Sequence, residues 1–228
     1  MTNLRLMVVI ISNNAADKRP YAIPFALDVE RAPGGMMAKV VYVTGAPAAG
    51  KSSTVARLRE ADPTIQIFEY GARLTEMVKA RIADVRSQDD IRTHSALLIR
   101  PEDIVEMDRR LLEFVDEHRG RRTVLIDSHP VTKESYGFRI TAFSTEQIRA
   151  LNPDEVWVFF AGPQETRRRI SEAPGGRPII SEEEARMHTT IQASVAATYG
   201  IMAPSPVYLF DTEQDRDTLL LRLQERLR

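Results

Sequence analysis

KVVYVTGAPAAGKS, residues 39–52, joins a short apolar run to a glycine-rich turn that ends in lysine and serine. The run KVVYVT, residues 39–44, is apolar at nearly every position, as in a β-strand that is buried on both faces of a parallel sheet. The turn GAPAAGKS, residues 45–52, matches the pattern G-x-x-x-x-G-K-[ST] at every specified position. Helical spacing follows directly, so the stretch predicts a strand, a phosphate-binding turn and a helix in that order.

The rest of the chain repeats this alternation of strands and helices. Apolar runs predict further strands at residues 65–70, 123–127, 155–160 and 207–210. Helices are predicted at residues 51–60, 72–85, 101–118, 165–171, 181–199 and 214–227. Strands that are apolar throughout and separated by helices predict the three-layer α/β fold of P-loop NTPases, with a five-stranded parallel sheet covered on both faces. The connections between strands are expected to be right-handed.

The residue types of the glycine-rich turn suit a polyphosphate ligand. Glycines and small side chains let the backbone fold tightly, so that N–H groups point at the phosphates where the helix N-terminus adds partial positive charge. The Lys51 side chain can reach the β- and γ-phosphates of a nucleoside triphosphate, and the Ser52 hydroxyl can ligate Mg²⁺. The residues predicted to bind ATP are Gly45, Ala46, Pro47, Ala48, Ala49, Gly50, Lys51, Ser52 and Ser53.

Asp127 ends the apolar run TVLID at the predicted carboxyl edge of the sheet. An acidic residue there, beside the phosphate loop, is the pattern of a Walker-B carboxylate that holds Mg²⁺ directly or through water. We therefore predict Mg²⁺ as the cofactor, with Ser52 and Asp127 as its protein ligands and ATP as the phosphoryl donor. The two motifs indicate a nucleotide site, but they do not separate a kinase from an ATPase or a GTPase.

The composition argues against several other classes of function. The 228 residues carry a net charge of −1 and include no cysteine, so neither a global basic field for nucleic acid nor a disulfide or thiolate site is indicated. Arginine outnumbers lysine by 26 to 5, and its planar fork suits phosphate. No apolar stretch approaches the roughly 20 residues of a membrane span. We expect a cytoplasmic protein that binds small molecules rather than membranes.

Residues 1–35 differ in pattern from the remainder of the chain. They hold a short apolar run, LMVVIIS, and then a polar stretch that ends in APGG, just before Met36, Met37 and the first strand. They are expected to be either a poorly ordered N-terminal extension or a segment that precedes the true translation start at one of these methionines. Residues 36–228 are predicted to form a single domain.

Three later segments carry a more specific signal than the phosphate loop. TVLIDSHPVTK, residues 123–133, resembles the V-I-V-D-T-H-x-V-I-K stretch of archaeal-type adenylate kinases. LNPDEVWVFFAGPQETRRR, residues 151–169, is similar to that family's L-x-P-D-x-I-V-L-I-E-A-D-P-x-E-I-L-x-R-R. SEEEARMHTTIQASVAATYG, residues 181–200, resembles a segment that carries a histidine and an alanine-rich tract. The resemblance covers residues 38 to about 210.

The resemblance to this family of P-loop nucleoside monophosphate kinases implies both a fold and a reaction. The expected kinase domain, residues 36–228, has a small acceptor-binding region and a mobile lid at about residues 168–182. The implied reaction transfers the γ-phosphoryl group of ATP to a nucleoside monophosphate, most readily AMP. Such transfer needs chiefly positioning and charge neutralisation, for which arginines are suited. Related kinases can be trimeric, so a homo-oligomer is a further expectation, although no interface signature is visible.

The resemblance also assigns residues to the acceptor. Arg92, in DDIRTHS, matches the family's acceptor-side arginine. His129 falls on a family histidine and is expected to hydrogen-bond near the acceptor or to fix the loop after Asp127. Arg139, in YGFR, is expected in a loop that could hold an acceptor phosphate. His188 falls on a second family histidine, for which a structural role is expected.

Two arginines are assigned to the lid by the same resemblance. Arg169 closes the run RRR, and Arg177 in GGRP aligns with the last arginine of the family's T-R-x-R-D lid. With Lys51 and Asp127, these arginines are the predicted catalytic residues. Gly175 and Gly176 supply the backbone freedom that a closing loop needs.

Two departures from the family pattern leave alternatives open. PGGRP, residues 174–178, stands where the family has T-R-N-R-D, and Gln192-Ala193 stands where it has N-R. If each lost arginine contact contributes a few kcal/mol to the transition state, rates fall by several orders of magnitude unless Arg167, Arg168 or Arg186 compensates. A nucleoside monophosphate kinase is the first expectation. A kinase with a different acceptor and a nucleotide-dependent regulator with weak ATPase activity remain alternatives.

Overall fold

A sheet of five parallel strands forms the middle layer of the protein. The computed structural model describes residues 38–81, 99–172 and 179–228, all within one compact unit, Met36–Arg228. The strands are β1 (Val40–Gly45), β2 (Gln66–Glu69), β3 (Val124–Asp127), β4 (Val131–Glu134), β5 (Gly137–Ile140), β6 (Glu155–Phe160) and β7 (Val207–Asp211). The large sheet has the order β2-β3-β1-β6-β7 with every neighbouring pair parallel, and β4 and β5 form a separate antiparallel pair.

Helices cover both faces of the sheet. They are α1 (Lys51–Ala61), α2 (Tyr70–Arg81), α3 (Pro101–His118), α4 (Thr145–Leu151), α5 (Pro163–Ser171), α6 (Glu182–Met202) and α7 (Arg216–Leu227). One core packs α1 and α7 against Val41 and Val43, and the other packs α2, α3, α4 and α6 against Val40 and Tyr42. Consecutive residues of β1 serve opposite cores because strand side chains alternate between faces. The predicted three-layer α/β fold with five parallel strands is therefore confirmed.

Local sequence signals explain why several elements lie where they were predicted. The third helix begins at Pro101, whose missing N–H costs nothing at a first helical position, and ends at His118 as predicted. At the start of α6, the Ser181 hydroxyl accepts a hydrogen bond from the Glu184 N–H at 3.1 Å, and the Glu184 carboxylate accepts one from the Ser181 N–H at 2.8 Å. This reciprocal capping fixes the first turn of a 21-residue helix.

Three short elements between β3 and β6 were not predicted. The pair β4 and β5 has only four residues in each strand, and most of them are partly exposed rather than alternately buried. Gly137, with φ of 140°, begins β5 in a conformation that other residues rarely adopt. The helix α4 spans two turns and is capped by Ser144, which accepts from the Gln147 N–H at 3.1 Å. Elements this short carry too few residues to show a periodic pattern.

A buried carboxylate ties the amino-terminal end of β6 to two other elements. Glu155 accepts hydrogen bonds from Lys39 at 3.0 Å, from Arg226 at 3.0 Å and from the Trp157 indole at 2.7 Å. The Arg226 guanidinium also lies 3.4 Å from the centre of the Tyr208 ring. This ionic network joins the start of β1, β6 and the end of α7 at the end of the sheet opposite the phosphate loop.

Some predictions concern residues outside the described ranges. They are the extension at residues 1–35, the continuation of the second helix to residue 85, Arg92, Arg177 and the part of the lid at residues 173–178. These stay predictions. Of the described helices, none is long and apolar enough to span a membrane.

Candidate active site

The phosphate loop leaves β1 at Gly45 and enters α1 at Lys51. Gly45 lies so close to β6 that a Cβ at this position would sit 2.6 Å from the Phe159 carbonyl oxygen. Ala48 and Gly50 have positive φ angles of 60° and 78°. A left-handed conformation is uncommon for alanine, and its presence here marks a backbone held in a tight turn by its surroundings.

The first turn of α1 presents backbone N–H groups that receive no side-chain cap from the N-cap residue. Gly50 is the N-cap residue, and the first turn contains no acidic residue. The hydroxyls of Ser53 and Thr54 donate to the Gly50 carbonyl oxygen at 2.8 and 2.9 Å. The positive end of the helix therefore faces the loop, which is the arrangement that attracts a phosphate group.

Lys51 and Asp127 form an ion pair between the start of α1 and the end of β3. Each of the two side chains is 11% exposed. Asp127 is the last residue of β3 and lies in register with Val43 of β1. Because the lysine ammonium sits on a long flexible stem, it can neutralise Asp127 and can also turn toward phosphate oxygens. The structure thus brings together two of the predicted catalytic residues.

A cleft of ≈ 420 Å³ adjoins this ion pair on the α1 face of the sheet. Ser52, Asp127 and Glu69 line it, together with Arg59 and Glu60 of α1. The Ser52 hydroxyl and the Asp127 carboxylate supply hard oxygen donors, which Mg²⁺ prefers. The residues present therefore fit the predicted metal, which in such sites also binds the phosphates of the nucleotide.

Arg169 lies behind the phosphate loop. Its guanidinium donates to the Ala48 carbonyl oxygen at 3.2 Å, to the Thr212 hydroxyl at 2.9 Å and to the Thr212 carbonyl oxygen at 3.1 Å. It also donates to the Glu165 carboxylate at 2.7 Å. Arg168, by contrast, is exposed and pairs with Glu165 and Glu172 along its own helix. Of the three consecutive arginines, Arg169 is the one that touches the loop.

Of the predicted acceptor residues, His129 and Arg139 lie at the β4–β5 pair, and Arg92 is outside the described residues. Arg139 was expected in a loop, and that expectation is wrong, because it belongs to β5 and pairs with Glu134 of β4 at 3.2 Å. The paired strands hold the side chain across the hairpin. His129 is partly buried, two residues beyond Asp127 in the connection from β3 to β4. His129 is therefore closer to Asp127 along the chain than Arg139 is.

His188 is a buried side chain of α6 that contacts the same hairpin. Its Nε2 lies 3.1 Å from the Val131 carbonyl oxygen, and its ring meets the Phe138 ring edge to face at 5.2 Å between centroids. Burial lowers the pKa of His188, although the hydrogen bond to Val131 opposes that effect. These contacts fit the structural role expected of this histidine.

Two polar residues near the loop carry no sequence motif and were not predicted as site residues. Glu69, the last residue of β2, lies in register with Asp127 of the neighbouring strand and lines the same cleft. Thr212, just after β7, donates its hydroxyl to the Ala49 carbonyl oxygen at 2.9 Å. The only signal that could have found Glu69 is its place at the end of a predicted strand. Nothing local to the sequence marks Thr212.

Gln192, the first residue of the Gln192-Ala193 pair that stands where the family has N-R, makes a contact inside the protein. Gln192 is completely buried on α6, and its side-chain amide donates to the Thr44 hydroxyl at the end of β1. The side-chain oxygen of Gln192 has no hydrogen-bond partner among the described residues. The family's arginine corresponds to the next residue, Ala193, which is partly buried on α6, and the contact of Gln192 does not explain the loss of that cation.

Comparisons with known proteins support the same assignment of the fold. A family model described as an AAA domain matches residues 44–186. The adenylate kinase of Pyrococcus furiosus is 25% identical over 180 residues, which is 78% of this chain and 88% of that protein. The adenylate kinase of Thermococcus onnurineus is 24% identical over 179 residues, again 78% of this chain and 88% of that protein.

A solved structure shows a similar arrangement of strands and helices. The shikimate kinase of Bacteroides thetaiotaomicron aligns with a TM-score of 0.50 and 18% identity, covering 83% of this chain and 98% of that one. At this identity the likeness speaks for the fold alone. The phosphate loop, Asp127 and the parallel sheet thus lie in a kinase-like P-loop architecture.

Proposed function

We propose that this chain, which belongs to the AAA-domain family whose model matches residues 44–186, is an ATP-dependent phosphotransferase. Its acceptor is a nucleoside monophosphate, and AMP is the preferred candidate. The observation that carries the proposal is the Lys51–Asp127 pair beside the uncapped first turn of α1. AMP is favoured because the adenylate kinases of two archaea are similar over most of the chain. We also propose a cytoplasmic location and Mg²⁺ as the cofactor.

The reaction needs little from the protein beyond position and charge. An acceptor phosphate oxygen forms a bond to the γ-phosphorus, the bond from that phosphorus to the β–γ bridging oxygen breaks, and ADP leaves with the electron pair. Loop N–H groups and Lys51 stabilise the charge on the phosphoryl oxygens. Ser52 and Asp127 would hold Mg²⁺, which would neutralise part of that charge. An acceptor phosphate is already an anion at pH 7, so this reaction requires no general base.

Incubation with ATP·Mg²⁺ and a panel of nucleoside monophosphates tests the proposal. When products are resolved by chromatography, AMP, the expected best acceptor, should yield two ADP for each ATP consumed, and any other acceptor should yield one ADP and one of its own diphosphate. ADP formed together with inorganic phosphate, at a rate that no monophosphate changes, would instead identify a nucleotide-dependent regulator. The Lys51→Ala variant serves as the control for contaminating kinases.

A second candidate acceptor is a small molecule with a hydroxyl group, and Glu69 favours it. The Glu69 carboxylate lies in register with Asp127 at the cleft and makes no hydrogen bond or ion pair within the described part of the chain. Attack by a hydroxyl oxygen on the γ-phosphorus releases a proton, which a nearby carboxylate can accept as ADP leaves. The same negative charge would repel an acceptor phosphate.

The Glu69→Gln variant distinguishes the two acceptors. If a hydroxyl is phosphorylated, the variant loses transfer to nucleosides, hexoses or glycerol while ATP·Mg²⁺ affinity is retained. If AMP is the acceptor, the variant transfers at least as fast as the parent, because a repulsive charge has been removed. Glu60→Gln, which removes another carboxylate from the same cleft, is the matched control.

A further inference from the structure

Thr212 connects the end of β7 to the back of the phosphate loop through a single hydroxyl group. Its Oγ1 lies 2.9 Å from the Ala49 carbonyl oxygen and 3.0 Å from the Phe160 carbonyl oxygen, and it accepts a hydrogen bond from Arg169 at 2.9 Å. The residue is buried, and its own N–H donates to Phe160 at 2.9 Å. The Thr212 hydroxyl is therefore held by hydrogen bonds of its own, and the backbone N–H of the same residue is also hydrogen-bonded.

We infer that Thr212 is a positioning residue for nucleotide binding, which directs the N–H of the Ala49–Gly50 peptide toward the phosphates. A trans peptide is planar, so its C=O and N–H point in opposite directions. Because the Ala49 carbonyl oxygen is held toward Thr212, the Gly50 N–H must point away from it, into the loop. An N–H group fixed before the ligand arrives loses less conformational freedom on binding.

The carbonyl group of the adjacent peptide is held by a second donor, while the N–H of that peptide donates to the Ala46 carbonyl oxygen at 3.1 Å. Arg169 donates to the Ala48 carbonyl oxygen at 3.2 Å and grips Thr212 through both its hydroxyl and its carbonyl oxygen. Glu165 holds the other side of the same guanidinium at 2.7 Å. Two consecutive carbonyl groups of the loop are thus fixed from outside, one by Thr212 and one by Arg169, and the two fixing groups hydrogen-bond to each other.

The close approach also explains why the sixth position of the loop is glycine. A Cβ on Gly50 would sit 3.2 Å from the Thr212 side chain and 3.3 Å from the Arg169 guanidinium. The φ angle of 78° disfavours any other residue there as well. The loop motif and Thr212 therefore form one packed unit, although Thr212 lies 163 residues beyond Ala49 in the chain.

The inference rests on one part of the proposed function, which is that residues 45–52 bind a nucleoside triphosphate. Its test uses the full-length protein, ADP·Mg²⁺ and a non-transferable ATP analogue with an imido bridge, each titrated by calorimetry without any acceptor. Thr212→Val preserves the side-chain shape and removes the hydroxyl, and Thr212→Ser preserves the hydroxyl. Thr218→Val is the matched control, since its hydroxyl bonds only to Asp215 at the exposed start of α7.

We expect Thr212→Val to lower the affinity for both nucleotides about tenfold, as for the loss of one or two hydrogen bonds. Thr212→Ser should bind both nucleotides with an affinity within about twofold of the parent protein. In steady-state assays the valine variant should raise KM for ATP and leave KM for the acceptor unchanged. Thermal unfolding checks that each variant is folded.

Parental affinity in Thr212→Val, or a serine variant as weak as the valine variant, would overturn the role of the hydroxyl. An unfolded valine variant leaves the serine and control variants to decide, because a serine variant with reduced affinity contradicts the inference by itself. If the parent protein binds neither nucleotide, the proposed function fails as well. The two failures are thus distinguishable.

Discussion

Two buried carboxylates at opposite ends of the sheet are held in different ways. Glu155 begins β6 and is 6% exposed, and it accepts hydrogen bonds from Lys39, Arg226 and the Trp157 indole. Asp127 ends β3 and is 8% exposed, and it contacts the ammonium of Lys51 in the phosphate loop. Both are carboxylates in the same layer of the same fold, but their partners differ in kind.

The difference separates a structural charge from one that we propose to be functional. Three donors from other parts of the fold hold Glu155, so its charge joins the start of β1, β6 and α7. Asp127 faces a cleft, and its partner belongs to a motif that binds phosphate. In parallel sheets the carboxyl ends of the strands are where ligands bind, which is the end that Asp127 occupies.

Replacing Lys51 should have the largest effect. We expect Lys51→Ala to lower phosphoryl transfer roughly 10³-fold, because a cation next to the transferred group is lost. Turnover is measured with saturating ATP·Mg²⁺ and the best acceptor of the panel. Lys79→Ala, on an exposed helical ion pair with Glu76, is the matched control and should be neutral. Activity within tenfold of the parent would contradict the role of Lys51.

Replacing Asp127 should give a smaller loss of activity and little loss of stability. We expect Asp127→Asn to reduce transfer roughly 10²-fold and to raise the Mg²⁺ concentration needed for half-maximal rate. Asparagine keeps the side-chain shape and can still accept a hydrogen bond from Lys51, so the loss of unfolding free energy should be smaller than the loss expected for Glu155→Gln. An Asp127→Asn variant that is active but strongly destabilised would show that Asp127, like Glu155, has a structural role.

Replacing Glu155 should reverse that pattern. Glu155→Gln leaves two partly buried cations without their charge partner, and we expect a loss of about 2 kcal/mol in unfolding free energy. Denaturant titration measures it, and activity per folded molecule should stay unchanged. Glu76→Gln, on an exposed side chain, is the control and should shift stability by less than about 0.5 kcal/mol. An equal shift in both variants would count against a structural network at Glu155.

Acidification should produce the smallest effects, in two separate windows. Burial lowers the pKa of His188. For Glu155, burial by itself would raise the pKa, but hydrogen bonds from Arg226, Trp157 and Lys39 outweigh it and lower the pKa. Both groups bind protons more readily in the unfolded chain. Stability should therefore fall as pH drops below about 6.5 for His188, and again below about 4.3 for Glu155.

Denaturant midpoints measured from pH 7 to pH 3 test whether stability falls as the pH is lowered. The parent protein should lose stability in both windows and His188→Gln only in the lower one. Glu155→Gln should lose less than the parent in the lower window, where Glu106 and Glu165, whose pKa values are also lowered, still titrate. A parent protein that gains stability between pH 7 and pH 5 would contradict the environment assigned to His188.

The sequence predicted what depends on neighbouring residues and missed what depends on contacts across the fold. The loop at residues 45–52 and the acidic end of β3 follow from spacing that the chemistry itself requires, and the structure brings Lys51 and Asp127 together. Arg139 was placed in a loop because the strands around it are too short to show alternation. Thr212 had no signal, since its role depends on a partner 163 residues away.

The same reasoning applies to Arg169. Arg169 was predicted at a catalytic position by resemblance, and its bonds to Ala48 and Thr212 could not be read from the run RRR. Which of three consecutive arginines reaches the loop depends on the face of α5 that packs inward. Helical spacing fixes relative faces, but the orientation of the helix against the sheet comes from the tertiary fold.

Calorimetric titration of the folded protein with ATP, in the presence and absence of Mg²⁺, tests the central claim most directly. The account predicts saturable binding of one nucleotide per chain with Mg²⁺ present, and binding that is clearly weaker when the metal is chelated. Heat that does not exceed dilution at millimolar ATP and Mg²⁺, from protein shown to be folded, would contradict it.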